Sequence, residues 1–347
     1  MPHNHDEEIL FLGPAGRGGM RSVIDAYATV FDPFKIIFTQ KEGSTAKKIM
    51  VGIASMSQFI WRLLIDRKIK VVHVHVCSGV SFFRKRAFLN VASFFGKKTV
   101  FHCHGAEFEQ FYAANTDAVR ATLARVDAVV ALSDFWKEFF ESKGCSNVIV
   151  IRNPVPPARI DRHPVGDGRV HFALVGVICD RKGCFDVVKM AEKYHSQLSG
   201  KVMIHLAGNG EGERLQRDID RLGLSDVLSY EGWADAEKKA ALLNSADVYF
   251  LPSHNEGLPI SILEGMTYEL PVLSTPVGGI PSVVREGENG LLVPPADIDR
   301  MYQAIMTLAS DPSLRETMGA RSLEISRDYL VDNVKKELDA FYDRLLK

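Results

Sequence analysis

Short apolar runs of strand length alternate with helical stretches along almost the whole chain. Ile9–Gly13, Phe34–Phe38, Val71–Val76, Thr99–His104, Asp127–Leu132 and Val148–Ile151 form a first series. Each is short and rich in β-branched or aromatic residues, as strands buried on both faces require. Most are separated by segments long enough for a crossover helix, which predicts a parallel α/β sheet. The series stops at Arg152–Gly168, "RNPVPPARIDRHPVGDG", whose four prolines and two glycines carry no periodicity and read as a linker. A second series comes next: Val170–Gly176, Lys201–Gly208, Val227–Gly232, Asp247–Pro252, Pro271–Thr275 and Gly290–Pro294. No internal sequence repeat is visible, yet both halves share one architecture. The expectation is an α/β protein of two Rossmann-like, doubly wound domains facing across a cleft, with ligands at the carboxyl ends of strands.

Composition narrows the class. At 347 residues, 46% hydrophobic and 24% charged, the chain suits a soluble protein with more than one core. A formal net charge of -1 gives no reason to expect nucleic acid. The five cysteines (Cys77, Cys103, Cys145, Cys179, Cys184) are scattered without a CxxC, so neither a disulfide framework nor a zinc site is expected, and a reducing cytoplasm is the simpler setting. The polar, acidic start "MPHNHDEE" is unlike a secretory signal, and His3 and His5 are read as a frayed tail rather than metal ligands. No apolar run is expected to reach the roughly 18 residues of a membrane span.

Candidate chemistry concentrates in Ser253–Leu273, "SHNEGLPISILEGMTYELPVL". A strand ends ahead of it, a loop carries Glu256, and helical spacing carries Glu264. If Gly257–Pro259 opens the helix, its amide groups and dipole make an anion site, and the glutamates suit hydroxyl groups on either side. A glycosidase pair is disfavoured: eight helical residues rise ~12 Å, against ~5–9.5 Å between the catalytic carboxyls of those enzymes. Spacing alone also fits one solvated loop glutamate and one ordinary helix glutamate. Arg181 and Lys182, at a strand-to-helix turn before Gly183, suit a diphosphate or a solvated turn. "AGNGEGERL" around Gly208 is another glycine-rich turn, but Glu213 takes the place of the third glycine of a dinucleotide fingerprint.

In the first half, "LGPAGRGGMRSVI" places Gly18 and Gly19 where backbone can approach a ligand. His104 stands at a strand end before Gly105, able to hydrogen-bond a sugar or to be merely structural; His102 reads as core. Ser81–Lys98 mixes Arg84, Lys85, Arg86, Lys97 and Lys98 with five phenylalanines. It fits anionic lipid headgroups or a phosphorylated acceptor, or a crossover helix with a buried Phe face and solvated basic ends. Lys47–Lys68 is open to the same two readings, and its length favours a packed helix.

Together these segments resemble GT-B retaining glycosyltransferases of family 4 (glycosyl transferases group 1). "NEGLPISILEGM" is similar to that family's E-x7-E segment, and "STPVGGIPSVVREGENGLLVPPAD" (Ser274–Asp297) to the stretch that succeeds it in these enzymes. "GRGGM", "HGAEF" and "DRKG" fall where the family has its glycine loop, cleft histidine and phosphate-binding cations. The resemblance implies a nucleotide-diphosphate-sugar donor held mainly by the second domain. Glu264 would take the ribose hydroxyls and Glu256 those of the donor sugar. Backbone at Gly257, Leu258 and Pro259 would face the donor, Lys182 the diphosphate, and Gly18 and Gly19 the phosphates from the first domain. His104 would sit beside the transferring sugar, and backbone near Gly208 beside the base. The reaction would retain configuration without metal or other cofactor, the leaving phosphate itself taking the acceptor's proton. The resemblance also implies a division at 1–158 and 159–329, with a terminal helix at 330–347 packing back on the first domain.

The chain departs from the family at Val177, where an arginine is usual; Arg181 is the candidate substitute. The implied function is sugar transfer to a saccharide or lipid-linked acceptor in surface polysaccharide synthesis, in the cytoplasm or against the inner face of an anionic membrane. The alternatives are a non-hydrolysing sugar-nucleotide epimerase, which would need more acids and bases around the sugar, and a catalytically silent nucleotide- or carbohydrate-binding protein.

Overall fold

A computed structural model describes residues 5–16, 18–40 and 44–347. His3 and Arg17 of the glycine loop lie outside them. The chain divides into two compact units, Met1–Val155 with Tyr329–Lys347, and Pro156–Asp328.

The first unit is built on one parallel sheet of six strands: β1 (Ile9–Pro14), β2 (Ile36–Gln40), β3 (Val71–Val76), β4 (Lys98–Cys103), β5 (Ala128–Ala131) and β6 (Val148–Val150), in the order β2-β1-β3-β4-β5-β6. The second carries another, from β7 (Val170–Val175), β8 (Val202–Ala207), β9 (Leu228–Gly232), β10 (Val248–Leu251), β11 (Val272–Ser274) and β12 (Gly290–Leu292), in the order β12-β11-β10-β7-β8-β9. All pairings are parallel. Strand order reverses between β1 and β3 in one sheet and between β7 and β10 in the other. At such points the loops leaving adjacent strands diverge to opposite faces and open a crevice.

The alternation of β3 divides the first core. Val72, Val74 and Val76 join the cluster that contains Phe59, Phe88, Phe101 and Phe140. His73 and His75 point to the other face, where Phe11 and Tyr27 pack on them. There Tyr342, on the helix Val331–Leu345, shares a 2.6 Å hydrogen bond with His73 Nδ1, and His73 Nε2 meets His102 Nδ1 at 2.9 Å. His5 is buried rather than frayed: its ring bonds Glu8 at 2.6 Å and Asp343 at 2.7 Å, joining the chain's start to its last helix.

Two helices differ from expectation. Thr45–Ile65 buries the stripe Ser55, Phe59 and Leu63, with Met56 partly buried against the same core, and 17% of Lys48–Ile65 is buried. That stretch is long and apolar enough, by length and composition, to cross a membrane, which the sequence pattern did not anticipate. The helix Val80–Phe94 buries Phe82 and Phe88 and exposes Phe83 and Phe94. Its Lys85 is not a solvated basic end. The side chain is 1% exposed, Nζ has no hydrogen-bond partner among the described residues, and burial beside Arg84 pushes the ammonium down to about 7.

A lysine whose folded pKa lies below its unfolded value destabilises the fold fully below about pH 7 and ceases to do so as pH rises towards 10. Lys85→Met is therefore expected to be more stable than the parent in denaturant titrations at pH 6.5. The difference should shrink as pH approaches 10; a constant difference would reject the burial penalty.

Candidate functional site

The second sheet's reversal point brings the main candidates together. After β7 the chain runs through Gly176 and Val177 into a single 3-10 turn, Asp180–Lys182, and then the helix Cys184–Lys193. After β10, residues 252–259 form the loop that carries Glu256. Glu256 is 5% exposed, and its Oε1 accepts hydrogen bonds from Lys182 Nζ at 2.5 Å and Ser253 Oγ at 2.7 Å. Arg181 adds a guanidinium nitrogen 3.8 Å from the same oxygen and donates to Asn255 O at 2.8 Å. Two cations thus converge on one carboxylate. Unpaired, a carboxylate this buried would cost several kcal/mol; the pairing keeps the charge inside.

Glycines make this approach geometrically possible. Gly183 has φ +73°, and a Cβ there would sit 2.0 Å from Pro252 O, so the turn carrying Lys182 lies directly against the end of β10. Gly278, at φ +56°, would place a Cβ 1.8 Å from Glu256 O. The segment after β11 then clasps the glutamate loop: Thr275 Oγ1 donates to Ser253 O at 2.6 Å, and Gly279 N to Gly257 O at 2.7 Å. Part of "STPVGG" therefore holds the Glu256 loop in shape. Gly208 has a comparable task, since a Cβ on it would lie 1.6 Å from Gly176 O. It lets the ends of β7 and β8 close on one another.

The helix bearing Glu264 is Ile260–Thr267, with Pro259 as its N-cap residue. It begins later than the glycine spacing suggests, because Pro259 holds an extended ψ of 119°. Half of the interval from Glu256 to Glu264 is loop, so helical rise does not measure their separation. Each carboxylate is engaged by a lysine, Glu256 by Lys182. Glu264 pairs with Lys239 of the helix Ala236–Ser245. Gly265 lets this helix lie on β10: its Cβ would fall 2.5 Å from the Tyr249 ring.

Lys239, Ser253, Thr275 and Gly278 escaped the sequence reading. Lys239 and Glu264 are 25 residues apart on different helices, and no spacing rule joins them. Val177, where the expected arginine is missing, is 40% exposed.

The remaining candidates belong to the first unit. Gly18, at φ +132° with open space around its Cβ position, is the N-cap of the helix Gly19–Tyr27 and accepts from Arg21 N at 2.9 Å. His104 comes directly after β4; its amide donates to Val76 O at 2.8 Å, and its Nε2 lies 2.8 Å from His75 Nδ1. Burial, with Lys85 nearby, pushes His104 down to about 3. Its imidazole is neutral at physiological pH, fit to donate or accept one hydrogen bond but not to carry charge. His73, His75 and His102 place nitrogens within 4.8 Å of one another, the spacing of a metal cluster. Both His73 nitrogens and His75 Nδ1 are already hydrogen-bonded, so a three-histidine site would require breaking one of those bonds.

Removing one member of the buried pair strands the other. Lys182→Met is expected to lower unfolding free energy by about 3–5 kcal/mol, and Lys182→Met/Glu256→Gln to recover most of it. Equal losses in single and double variants, by urea titration, would show the pair to be energetically irrelevant.

Two family models match adjoining segments: "Glycosyltransferase Family 4" over residues 40–159 and "Glycosyl transferases group 1" over residues 159–324. The chain is 26% identical over 261 residues to the putative colanic acid biosynthesis glycosyltransferase WcaL of Escherichia coli K12, covering 71% of this chain and 64% of that protein. It is 32% identical over 174 residues to a D-inositol 3-phosphate glycosyltransferase of Kribbella flavida, covering 48% of this chain and 41% of that one. The chain thus spans under two thirds of the length of these relatives. Among solved structures, Anabaena HepE in complex with UDP and glucose matches with a TM-score of 0.75 at 17% identity, over 97% of this chain and 99% of that one. Sucrose-phosphate synthase of Thermosynechococcus elongatus matches with a TM-score of 0.78 at 17% identity, over 97% and 98%. With both halves matched in sequence and the paired parallel sheets shared in structure, the chain belongs to the group 1, family 4 glycosyltransferases of GT-B fold.

Proposed function

We propose that the chain transfers a sugar, with retention of configuration, from a nucleotide-diphosphate sugar to a saccharide or lipid-linked acceptor in polysaccharide synthesis. The observation that carries this reading is the convergence of Lys182 and Arg181 on buried Glu256 at the reversal point of the second sheet. A diphosphate entering there meets two cations and the start of the Ile260–Thr267 helix, all of which favour negative charge. Glu256, released in part from Lys182 by the incoming anion, is left to accept hydrogen bonds from donor-sugar hydroxyls. Glu264 is given the ribose hydroxyls, with Lys239 orienting it. Loss of the usual arginine at Val177 is offset by Arg181, which already reaches this loop.

The reaction in this reading breaks the bond between the anomeric carbon and the diphosphate oxygen. The departing oxygen takes the acceptor hydroxyl's proton as the new glycosidic bond forms on the same face. No protein base is needed, consistent with a neutral His104 serving as a hydrogen-bonding group for the sugar. The relatives support the substrate class: WcaL is named for colanic acid biosynthesis, and HepE was captured with UDP and glucose.

The test is calorimetric titration with UDP, GDP and ADP, followed by assay of nucleotide-diphosphate release from the matching sugar donors with saccharide acceptors. One nucleotide should bind, and Lys182→Ala should weaken it by roughly 10- to 100-fold, as loss of charge-assisted bonding predicts. Glu256→Ala/Glu264→Ala should abolish release while circular dichroism stays native. An α-configured donor should yield an α-linked product by NMR. Full turnover in the double variant, or binding of none of the nucleotides, would refute the assignment.

A further inference from the structure

The helix Thr45–Ile65 presents an apolar side that none of the described residues covers. Ser55, Phe59 and Leu63 face the core, while Ile49, Met50, Ile53, Trp61, Leu64 and Ile65 are each more than half exposed. Positions 49, 53, 61 and 65 are separated by multiples of four and therefore share one side of the helix, opposite the buried stripe. An exposed stripe of this length is more than the isolated surface leucines of an ordinary soluble protein.

Charge indicates the occupant. From Ser44 to Lys98 the chain has eleven lysines and arginines and a single acid, Asp66, although the whole protein has a formal net charge of -1. Some of these cations are already used: Lys70 pairs with Glu8, Lys68 with Glu7, and Asp66 with Lys35 at 2.8 Å. Lys48, in the first turn of the helix, and Arg67, just past its end, flank the apolar side along the axis and have no acidic partner among the described residues. The helix itself contains no acid.

We propose that this side of Thr45–Ile65 is a docking surface for an anionic lipid bilayer, the helix lying in the interface with its apolar stripe inserted and Lys48, Arg62 and Arg67 among the headgroups. An interfacial helix of this kind combines an apolar face, an aromatic anchor such as Trp61 and flanking cations attracted to anionic lipid. A second copy of this chain is a poorer occupant. A two-fold contact would oppose the same acid-free surface to itself and set cation against cation. These residues are distinct from the proposed sugar-transfer site, and membrane docking does not depend on that reading.

The experiment is co-sedimentation of the full chain with vesicles of phosphatidylcholine alone and of phosphatidylcholine containing phosphatidylglycerol, at low and high salt. The chain should pellet with the phosphatidylglycerol vesicles, less so at high salt, and much less with neutral ones. Ile53→Glu/Trp61→Glu should cut the bound fraction at least ~10-fold with an unchanged circular dichroism spectrum. Lys48→Ala and Arg67→Ala should each weaken binding by about fivefold. No binding to phosphatidylglycerol vesicles, or undiminished binding by Ile53→Glu/Trp61→Glu, overturns the proposal. So does a dimer in sizing experiments that Ile53→Glu/Trp61→Glu converts to monomer, since that would make the stripe a contact between copies.

Discussion

A buried lysine–glutamate contact organises the second unit's site. Lys182 and Glu256 are both buried and bond one another, so the position of each constrains that of the other. That requirement propagates outward. The turn after β7 must touch the end of β10, which only a residue without a side chain at position 183 allows. The glutamate loop must keep one shape, which Thr275 and Gly279 secure from the segment after β11. Glycines that look like flexible punctuation in the sequence therefore serve close packing around a pair of charges.

The two sheets place their candidates by the same rule while using different strands. In the second, the reversal lies between β7 and β10, the strands whose succeeding loops hold Lys182 and Glu256. In the first it lies between β1 and β3, and the glycine turn carrying Gly18 leaves the first of these. The electrostatic character differs sharply. One site is built from paired full charges, whereas His73, His75, His102 and His104 are held neutral by burial.

The strands and the class of fold could be read because buried parallel strands leave short, continuous apolar runs, and all twelve lie close to their expected limits. Glu256, Lys182 and Glu264 could be singled out because they sit at strand-to-helix junctions, where functional groups of such sheets collect. Lys239 could not, since its partner is remote in sequence and nothing local distinguishes it from any helix lysine. Lys85 misled for a related reason: "FRKRAF" reads as a solvated cluster, and only the packing of Phe82 and Phe88 carries its second cation inward. Thr45–Ile65 misled in the opposite direction. Its apolar residues run nearly all the way round, and sequence alone does not say which side the protein uses.

The hydrogen bond between Tyr342 and His73 has a consequence for how the molecule is made. The first unit is assembled from both ends of the chain, while Pro156–Asp328 is continuous. During synthesis the usual order, with the amino-terminal domain finished first, cannot apply in full. The buried imidazoles of β3 and β4 await a helix that is made only after Pro156–Asp328, so the unit begun earlier is completed later. Without that helix His73 lacks its tyrosine partner, which leaves a polar group on an otherwise apolar sheet face.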